Sequence, residues 1–317
     1  MRFATAFAPA TVSNVGCGFD VLGFALEGPG DEVTARLVDD GAPGAVSIDD
    51  ISGDEGRLPR EASRNTAGVA AAALLASLGQ APRIALTIRK GLPLSSGLGG
   101  SAASAAAAVV AVNALLEAGA SRELLIACAL EGERLGAGSA HPDNVAPCLW
   151  GGLVLVRQPH PLDIVSLPVP AGLTAVVVHP ALEIETARAR ALLGDTVPLA
   201  DAIRQWANVG ALVHALHRSD FALIGRALED TIAEPRRAAL IPGLAAIKQA
   251  ALEAGALGCG LSGSGPSLFA LCANRADADR VAPAMAAAVR VHVGGEVQSY
   301  VSPIAPVGAR VLSTCGS

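Results

Sequence analysis

The chain has 317 residues, 51% hydrophobic and only 3% aromatic, with a formal net charge of -6. That length supports a large core and suggests two domains, while the negative balance and the shortage of stacking surfaces exclude a general nucleic-acid binder. The six cysteines, Cys17, Cys128, Cys148, Cys259, Cys272 and Cys315, show no CxxC spacing, which gives no zinc signature and fits a reducing compartment.

In chain order, Phe3 to Ala8 predicts a short strand closed by Pro9, followed by the turn-rich TVSNVGCGFD. The N-terminus turns polar too soon for a signal peptide. A second strand is predicted over Asp31 to Leu37. The charged stretch from Asp39 to Arg64, with its apolar break at Val46 to Ile51, reads as hairpin and loop. Asn65 can cap a helix over Thr66 to Leu78 that Gly79 ends. Arg83 to Lys90 alternates Ile84, Leu86 and Ile88 with more polar neighbours, a strand with one buried face. A helix follows from about Ser101 to Glu117. Its apolar part, Ala102 to Leu116, is mostly alanine and is broken by Ser104 and Asn113, too short and too weakly apolar to span a bilayer. A soluble cytoplasmic protein with no membrane partner is expected.

Another helix is predicted over Ser121 to Leu135, interrupted by GAGSAHPDN, and then a strand over Leu153 to Arg157. Pro159, Pro161, Pro168 and Pro170 mark a boundary, giving units 1–165 and 166–317. The almost purely apolar Leu173 to His179 opens the second unit. Helices at Ala187 to Leu193, Leu199 to Ser219 and Phe221 to Thr231 precede helix (Gly243–Gly255), strand (Ser267–Cys272), helix (Ala276–Ala288) and strand (Glu296–Val301). This order predicts an α+β sandwich with helices against one antiparallel sheet.

Two glycine-serine segments carry the chemistry: Gly91 to Ala111, beginning GLPLSSGLGGSAAS, and Gly258 to Cys272, GCGLSGSGPSLFALC. The first runs into an alanine-rich helix. Small residues let the backbone approach phosphate oxygens, and the free N–H groups of the first helical turn point at the charge. Neither segment has the GxxxxGK[ST] pattern or GxGxxG spacing, so a Walker loop and a Rossmann fingerprint are excluded. Ser101 can offer its hydroxyl to a phosphate or to its magnesium. Glu133, near the end of a helix, is the metal candidate, because phosphate-bound Mg²⁺ commonly takes only one or two protein carboxylates; the plainer alternative is a solvent-facing charge. Ser139, His141, Asp143 and Asn144 are gathered in one predicted turn, where Asp143 can accept a proton or cap the turn. Asn14 and Asp20 flank a glycine turn. Arg188 and Arg190 follow Thr186, and Arg237 sits in EPRRAALIPG. Guanidinium groups suit a carboxylate clamp, but positions two apart on a helix face different ways, so at most one of Arg188 and Arg190 is expected to touch substrate.

The motifs APATVSNVGCGFDVLGFAL (Ala8–Leu26), PLSSGLGGSAAS (Pro93–Ser104) and CGLSGSGPSLFAL (Cys259–Leu271) stand in the order seen in the GHMP kinase superfamily, which the chain resembles across nearly its whole length. EGERLGAGSAHPDNVAPCLWGG and EPRRAALIPG resemble the branch that phosphorylates L-homoserine rather than those acting on mevalonate or galactose. The resemblance implies a two-domain fold, the first domain like ribosomal protein S5 domain 2 and the second ferredoxin-like. It implies ATP against Pro93, Leu94, Ser95, Ser96, Gly97, Leu98, Gly99, Gly100, Ser101, Ala102 and Ala103, and Mg²⁺ on Ser101 and Glu133. Around L-homoserine it implies Asp20 on the amino group, Arg190 and Arg237 on the carboxylate, His141 and Thr186 nearby, and Asn14 and Asn144 at the hydroxyl. The implied reaction gives O-phospho-L-homoserine, in threonine biosynthesis. The hydroxyl proton has two implied routes, to Asp143 or out through the phosphate. A homodimer is common among such proteins. The usual GLGSS reads Gly99-Gly100-Ser101 here, which removes one possible phosphate donor, and Arg188 stands where an acidic residue is frequent.

Overall fold

The computed structural model describes residues 2–39, 41–137 and 141–315. The chain begins with β1 (Phe3–Ser13), β2 (Leu22–Leu37), β3 (Val46–Ser52), α1 (Thr66–Leu78), β4 (Ile84–Arg89), α2 (Gly100–Leu115), α3 (Arg122–Ala137) and α4 (Pro142–Trp150). It continues through β5 (Leu153–Pro159), β6 (Leu162–Leu167), β7 (Thr174–Pro180), α5 (Thr186–Ala191), α6 (Leu199–Arg218), α7 (Phe221–Ala227) and α8 (Ala233–Arg237). Last come α9 (Leu244–Glu253), β8 (Gly258–Leu261), β9 (Leu268–Cys272), α10 (Arg275–His292), β10 (Val297–Pro303) and β11 (Arg310–Cys315).

The first sheet runs β11–β1–β2–β4–β3, with β5 also pairing β2 and β6 pairing β5. β2 is long enough for two sets of neighbours: Glu32 to Leu37 pair with β4, while Leu22 to Phe24 pair with β5. α1 forms as its caps predict. The Asn65 side chain accepts from the Ala67 N–H, and Gly79 closes the helix at φ 61°, a left-handed conformation that glycine adopts without strain. α2 has no polar face because it is enclosed: its residues from Ala102 to Val109 are all buried. It touches β1, β2, α1 and α3, and methyl-sized side chains allow those close approaches.

The second sheet, β10–β7–β9–β8, is antiparallel throughout. Strand alternation divides its side chains between two cores. Ala175, Val177, Phe269 and Leu271 join the core that holds β1, β2 and α2, and Val176, Val178, Leu268 and Ala270 join the one beneath α9 and α10. A strand buried on both faces has no polar side to show, which explains the apolar run at Leu173 to His179. Phe24 and Phe269 meet edge to face across the two sheets, with centroids 6.1 Å apart.

Several sequence expectations are corrected. There are two sheets, not one, and the first is mixed: β3 lies parallel to β4. The segment read as a hairpin is instead the first strand of a β3–α1–β4 crossover, the connection that parallel pairing requires. β1 continues past Pro9 because a register shift between Pro9 and Thr11 absorbs the missing proline N–H. The turn expected at HPDN is the start of α4, with Pro142 at its opening position, where a helix needs no N–H. The helix predicted to Thr231 stops at Ala227. β6, β8, α8 and β11 were not anticipated, and β11 returns to pair antiparallel with β1. Among the described residues no helix is long and apolar enough to cross a membrane.

Candidate active site

β4 leads into the first glycine segment, and α2 rises from its end. Gly99 is the N-cap at φ 68°. Gly97, at φ +75°, could carry no side chain: a β-carbon there would lie 2.4 Å from the Ser262 carbonyl oxygen and 2.7 Å from that of Gly265. The second glycine segment braces the first, since the Ser262 hydroxyl donates to the Gly97 carbonyl at 2.7 Å and the Ser267 N–H donates to the Ser96 carbonyl at 3.3 Å. The Ala103 N–H is spent on the Gly99 carbonyl at 2.8 Å. Those of Gly100, Ser101 and Ala102 precede any carbonyl of the helix and remain as donors for an anion.

Beneath this helix start lies a charge pair that sequence reading missed. Lys90 pairs with Asp31, their side chains 2% and 0% exposed. Lys90 also donates to the Gly100 carbonyl at 2.7 Å and to Ser104 Oγ at 2.9 Å. Asp31 accepts from the Gly91 N–H at 3.0 Å and the Ser104 hydroxyl at 2.7 Å. With its remaining valences met, such a pair is tolerable in a core, whereas removing one member costs about 3–5 kcal/mol. The three donors of the Lys90 ammonium are thus all spent on Asp31, Gly100 and Ser104, which ties the end of β4 to the start of α2. The position of Lys90 immediately before Gly91 was the available signal.

Glu133 is not a surface charge; it is 5% exposed. Its Oε2 and Ser101 Oγ are buried with no hydrogen-bond partner among the described residues. Burial pushes its carboxyl up to about 7, opposed by the nearby Ser101 hydroxyl, which favours the anion without completing a hydrogen bond, and by the Lys90 ammonium.

These groups help line a cavity of about 360 Å³ that is also lined by Asn14, Asp20, His141, Asp143, Asn144, Thr186, Arg190 and Arg237. Arg190 donates to both Asp20 oxygens, at 2.8 and 2.6 Å, and that contact raises its pKa. Arg237 is buried, bonded to the Gly263 carbonyl at 3.1 Å and the Ala189 carbonyl at 3.3 Å, and burial pulls its pKa down. Both guanidiniums lie over the Phe19 ring, each 5.2 Å from its centroid. The Thr186 hydroxyl is 3.4 Å from that of Ser264. Burial also lowers the His141 pKa, with the Asp20 charge opposing.

The Asn14 amide donates to the Gly263 carbonyl at 2.7 Å and accepts from the Asp20 N–H at 3.0 Å. Asn144 donates to Ser13 Oγ at 2.9 Å and accepts from the Thr11 hydroxyl at 2.9 Å. Among the described residues each amide uses one of its two hydrogens, which leaves the other for a ligand. Asp143, 1% exposed, accepts weakly from the Asn14 N–H at 3.3 Å, and its Oδ1 has no partner among the described residues. Burial first, and the Asp20 charge second, push its carboxyl up to about 7. Asp20, His141 and Asp143 offer ligand atoms within 4.8 Å of one another, although both Asp20 oxygens are engaged by Arg190.

Leu98, Ala102 and Ala103 do not line the cavity; their side chains are fully buried. At a helix start only the backbone faces an anion, and these side chains turn into the core. Arg188 also lies outside the cavity lining, as its spacing from Arg190 requires. Ser139 falls outside the described residues. Arg57, likewise unanticipated, lines the cavity and reaches Glu183 in an exposed pair at 2.6 Å. At Gly100 a β-carbon would meet nothing closer than Lys90 Nζ at 3.6 Å. Gly100→Ser should therefore melt like the parent and bind an ATP analogue more tightly by calorimetry, by about tenfold at most for one new hydroxyl donor.

A two-sheet fold in which a glycine-rich helix start shares one cavity with carboxylate and guanidinium groups has the layout of the GHMP class of small-molecule kinases. Residues 65–152 match the GHMP kinases N terminal domain, and residues 212–291 match the GHMP kinases C terminal family. The chain is 47% identical to the homoserine kinase of Chlorobaculum tepidum, covering 99% of each. The crystal structure of homoserine kinase from Cytophaga hutchinsonii superposes with a TM-score of 0.94 at 48% identity, covering 98% of this chain and 97% of that one. The mevalonate kinase of L. major, at 18% identity and a TM-score of 0.69, covering 93% of this chain and 94% of that one, shares the fold alone. The chain belongs to the homoserine kinase family of the GHMP kinase superfamily.

Proposed function

We infer that this chain transfers the γ-phosphoryl group of ATP to the side-chain hydroxyl of L-homoserine, giving O-phospho-L-homoserine for threonine biosynthesis. The observation that carries this reading is the mixture of groups that line one cavity. The helix-start residues Gly99, Gly100 and Ser101, Glu133 with its unpartnered oxygen, and the charged Asp20, Arg190 and Arg237 all line it. A zwitterion needs both an anionic and a cationic partner, and here they stand together.

The backbone from Ser95 to Ala102 holds the polyphosphate, with the Lys90–Asp31 pair keeping the helix start in register. Ser101 and Glu133 fit a magnesium ion, since a hydroxyl and a carboxylate with unmet valences are hard oxygen donors. When bound, that ion neutralises charge on the transferring phosphoryl group. Asp20 and Arg190 neutralise each other before substrate arrives. The ammonium of homoserine then takes its place on Asp20, and its carboxylate spans Arg190 and Arg237, with His141 and Thr186 beside it. Asn14 and Asn144 orient the hydroxyl. Its oxygen bonds to the γ-phosphorus as the bridging P–O bond to ADP breaks, and the released proton passes to Asp143 Oδ1. The expected boundary at 165 falls inside β6, so we take the nucleotide-binding unit to run from the N-terminus through Leu167 and the substrate-completing unit to follow it, the latter lending its final strand back to the first sheet.

A coupled ADP-release assay across L-homoserine, L-threonine, mevalonate and galactose tests this, with identification of phosphohomoserine as the product. Selective turnover of mevalonate or galactose would reject it. Arg237→Met should raise KM for L-homoserine by about 10- to 100-fold, the worth of a charge-assisted hydrogen bond, and leave KM for ATP near the parental value.

A further inference from the structure

Gln205 is the polar member of the buried face of α6 and does not line the cavity, yet its amide is fully engaged. Nε2 donates to the Cys17 carbonyl at 2.8 Å and to Asp230 Oδ1 at 3.0 Å. Oε1 accepts from the Thr231 N–H at 2.8 Å and lies 2.9 Å from the Thr231 hydroxyl. One side chain therefore joins two segments, each of which carries a residue of the cavity lining, Asp20 on one and Arg237 on the other. Cys17 immediately precedes the turn from Gly18 to Leu22 that carries Phe19 and Asp20. Asp230 caps α8, accepting from the Ile232 and Ala233 N–H groups at 2.9 Å and from that of Glu234 at 2.8 Å, and Arg237 closes the same helix. The Phe19 ring under Arg237 completes the circuit.

We propose that Gln205 is a positioning residue that sets the distance between Asp20 and Arg237, and through it the selectivity for an alcohol bearing both an amino and a carboxylate group; this rests on the homoserine reading. A planar amide with its donors and acceptors all engaged holds the two segments at one separation. An apolar residue of the same volume would fill the space but leave the Cys17 carbonyl, the Thr231 N–H and one contact of Asp230 unmet, so the turn and α8 would move independently.

Gln205→Met tests this, with Asn208→Ala as control: Asn208 holds the Glu229 carbonyl at 3.0 Å from the same helix without contacting Cys17 or Asp230. Gln205→Met should raise KM for L-homoserine about tenfold, with kcat and KM for ATP within about twofold of the parent. Preference for L-homoserine over 3-aminopropan-1-ol, which lacks the carboxylate, should fall by a similar factor. Calorimetry with L-homoserine alone should show the same weakening, and Asn208→Ala should change none of these. An unmoved KM for L-homoserine, a parallel rise in KM for ATP, or an equal effect of Asn208→Ala would overturn the proposal. Should Gln205→Met not fold, Gln205→Asn keeps an amide, is one methylene too short to hold both Cys17 and Asp230, and carries the same expectation. A parental enzyme that does not phosphorylate L-homoserine would reject the functional reading and this inference with it. Parental activity with an unmoved Gln205→Met would reject this inference alone.

Discussion

Asp143→Asn is expected to lower turnover by about 10²–10⁴-fold, the usual worth of a positioned general base, with KM for ATP and L-homoserine little changed. The amide keeps the shape of the carboxylate and can still accept from the Asn14 N–H, so the loss would report proton acceptance rather than binding. Near-parental turnover would mean that the proton leaves through the phosphate, a route that a loose transition state permits. The same variant has a second readout. The folded carboxyl titrates at about 7 against an ordinary 3.8, so between those values the folded protein keeps a proton that the unfolded chain has lost. Its contribution to stability is complete below the unfolded value and is lost as pH rises through about 7. A neutral amide at this position carries no such penalty. The variant should melt above the parent at pH 8, by up to about 4 kcal/mol of stability, with the gap narrowing toward pH 5.

Glu133→Gln should also reduce turnover by about 10²–10³-fold, since charge stabilisation of the transferring phosphoryl group provides much of such catalysis. Its decisive signature is a separation of stability from ligand response. Burial raises the carboxyl from 4.5 to about 7, so its ionisation destabilises the ligand-free fold increasingly as pH rises across that window. In the absence of ligands the variant should therefore melt at or above the parent at pH 8. Adding ATP with Mg²⁺ should raise the parental melting temperature and leave the variant nearly unmoved, because ligand stabilisation depends on affinity for the folded state. A variant that still gains the full magnesium-dependent shift would remove Glu133 from the metal site.

These two carboxylates mark the border of what is legible in residues alone. Glu133 was visible as a candidate from its chemistry and its place on a helix, but surface exposure was a standing alternative until the fold enclosed it among Ser101, Lys90 and α2. Asp143 was placed in a turn; the fold sets it in the first turn of α4, where its Oδ1 has no partner among the described residues. Lys90 went unnoticed because a lysine closing an amphipathic strand is ordinarily a solvent-facing end. Phe19 and Gln205 carried no sequence signal, since a lone aromatic in a glycine turn and a glutamine on an amphipathic helix are commonplace.

Local chemistry in the chain determined the caps of α1, the glycine segment that must bend before α2, the doubly buried β7, and through its motifs the family. Each of these rests on neighbours within a turn or two, where backbone sterics and capping act directly. Tertiary structure decided which groups meet: Lys90 with Asp31, Asp20 with Arg190, Phe19 with Arg190 and Arg237, and Gln205 with two segments. Those pairings depend on strand register and helix placement between residues tens to more than a hundred positions apart in the chain, and no local periodicity encodes such distances.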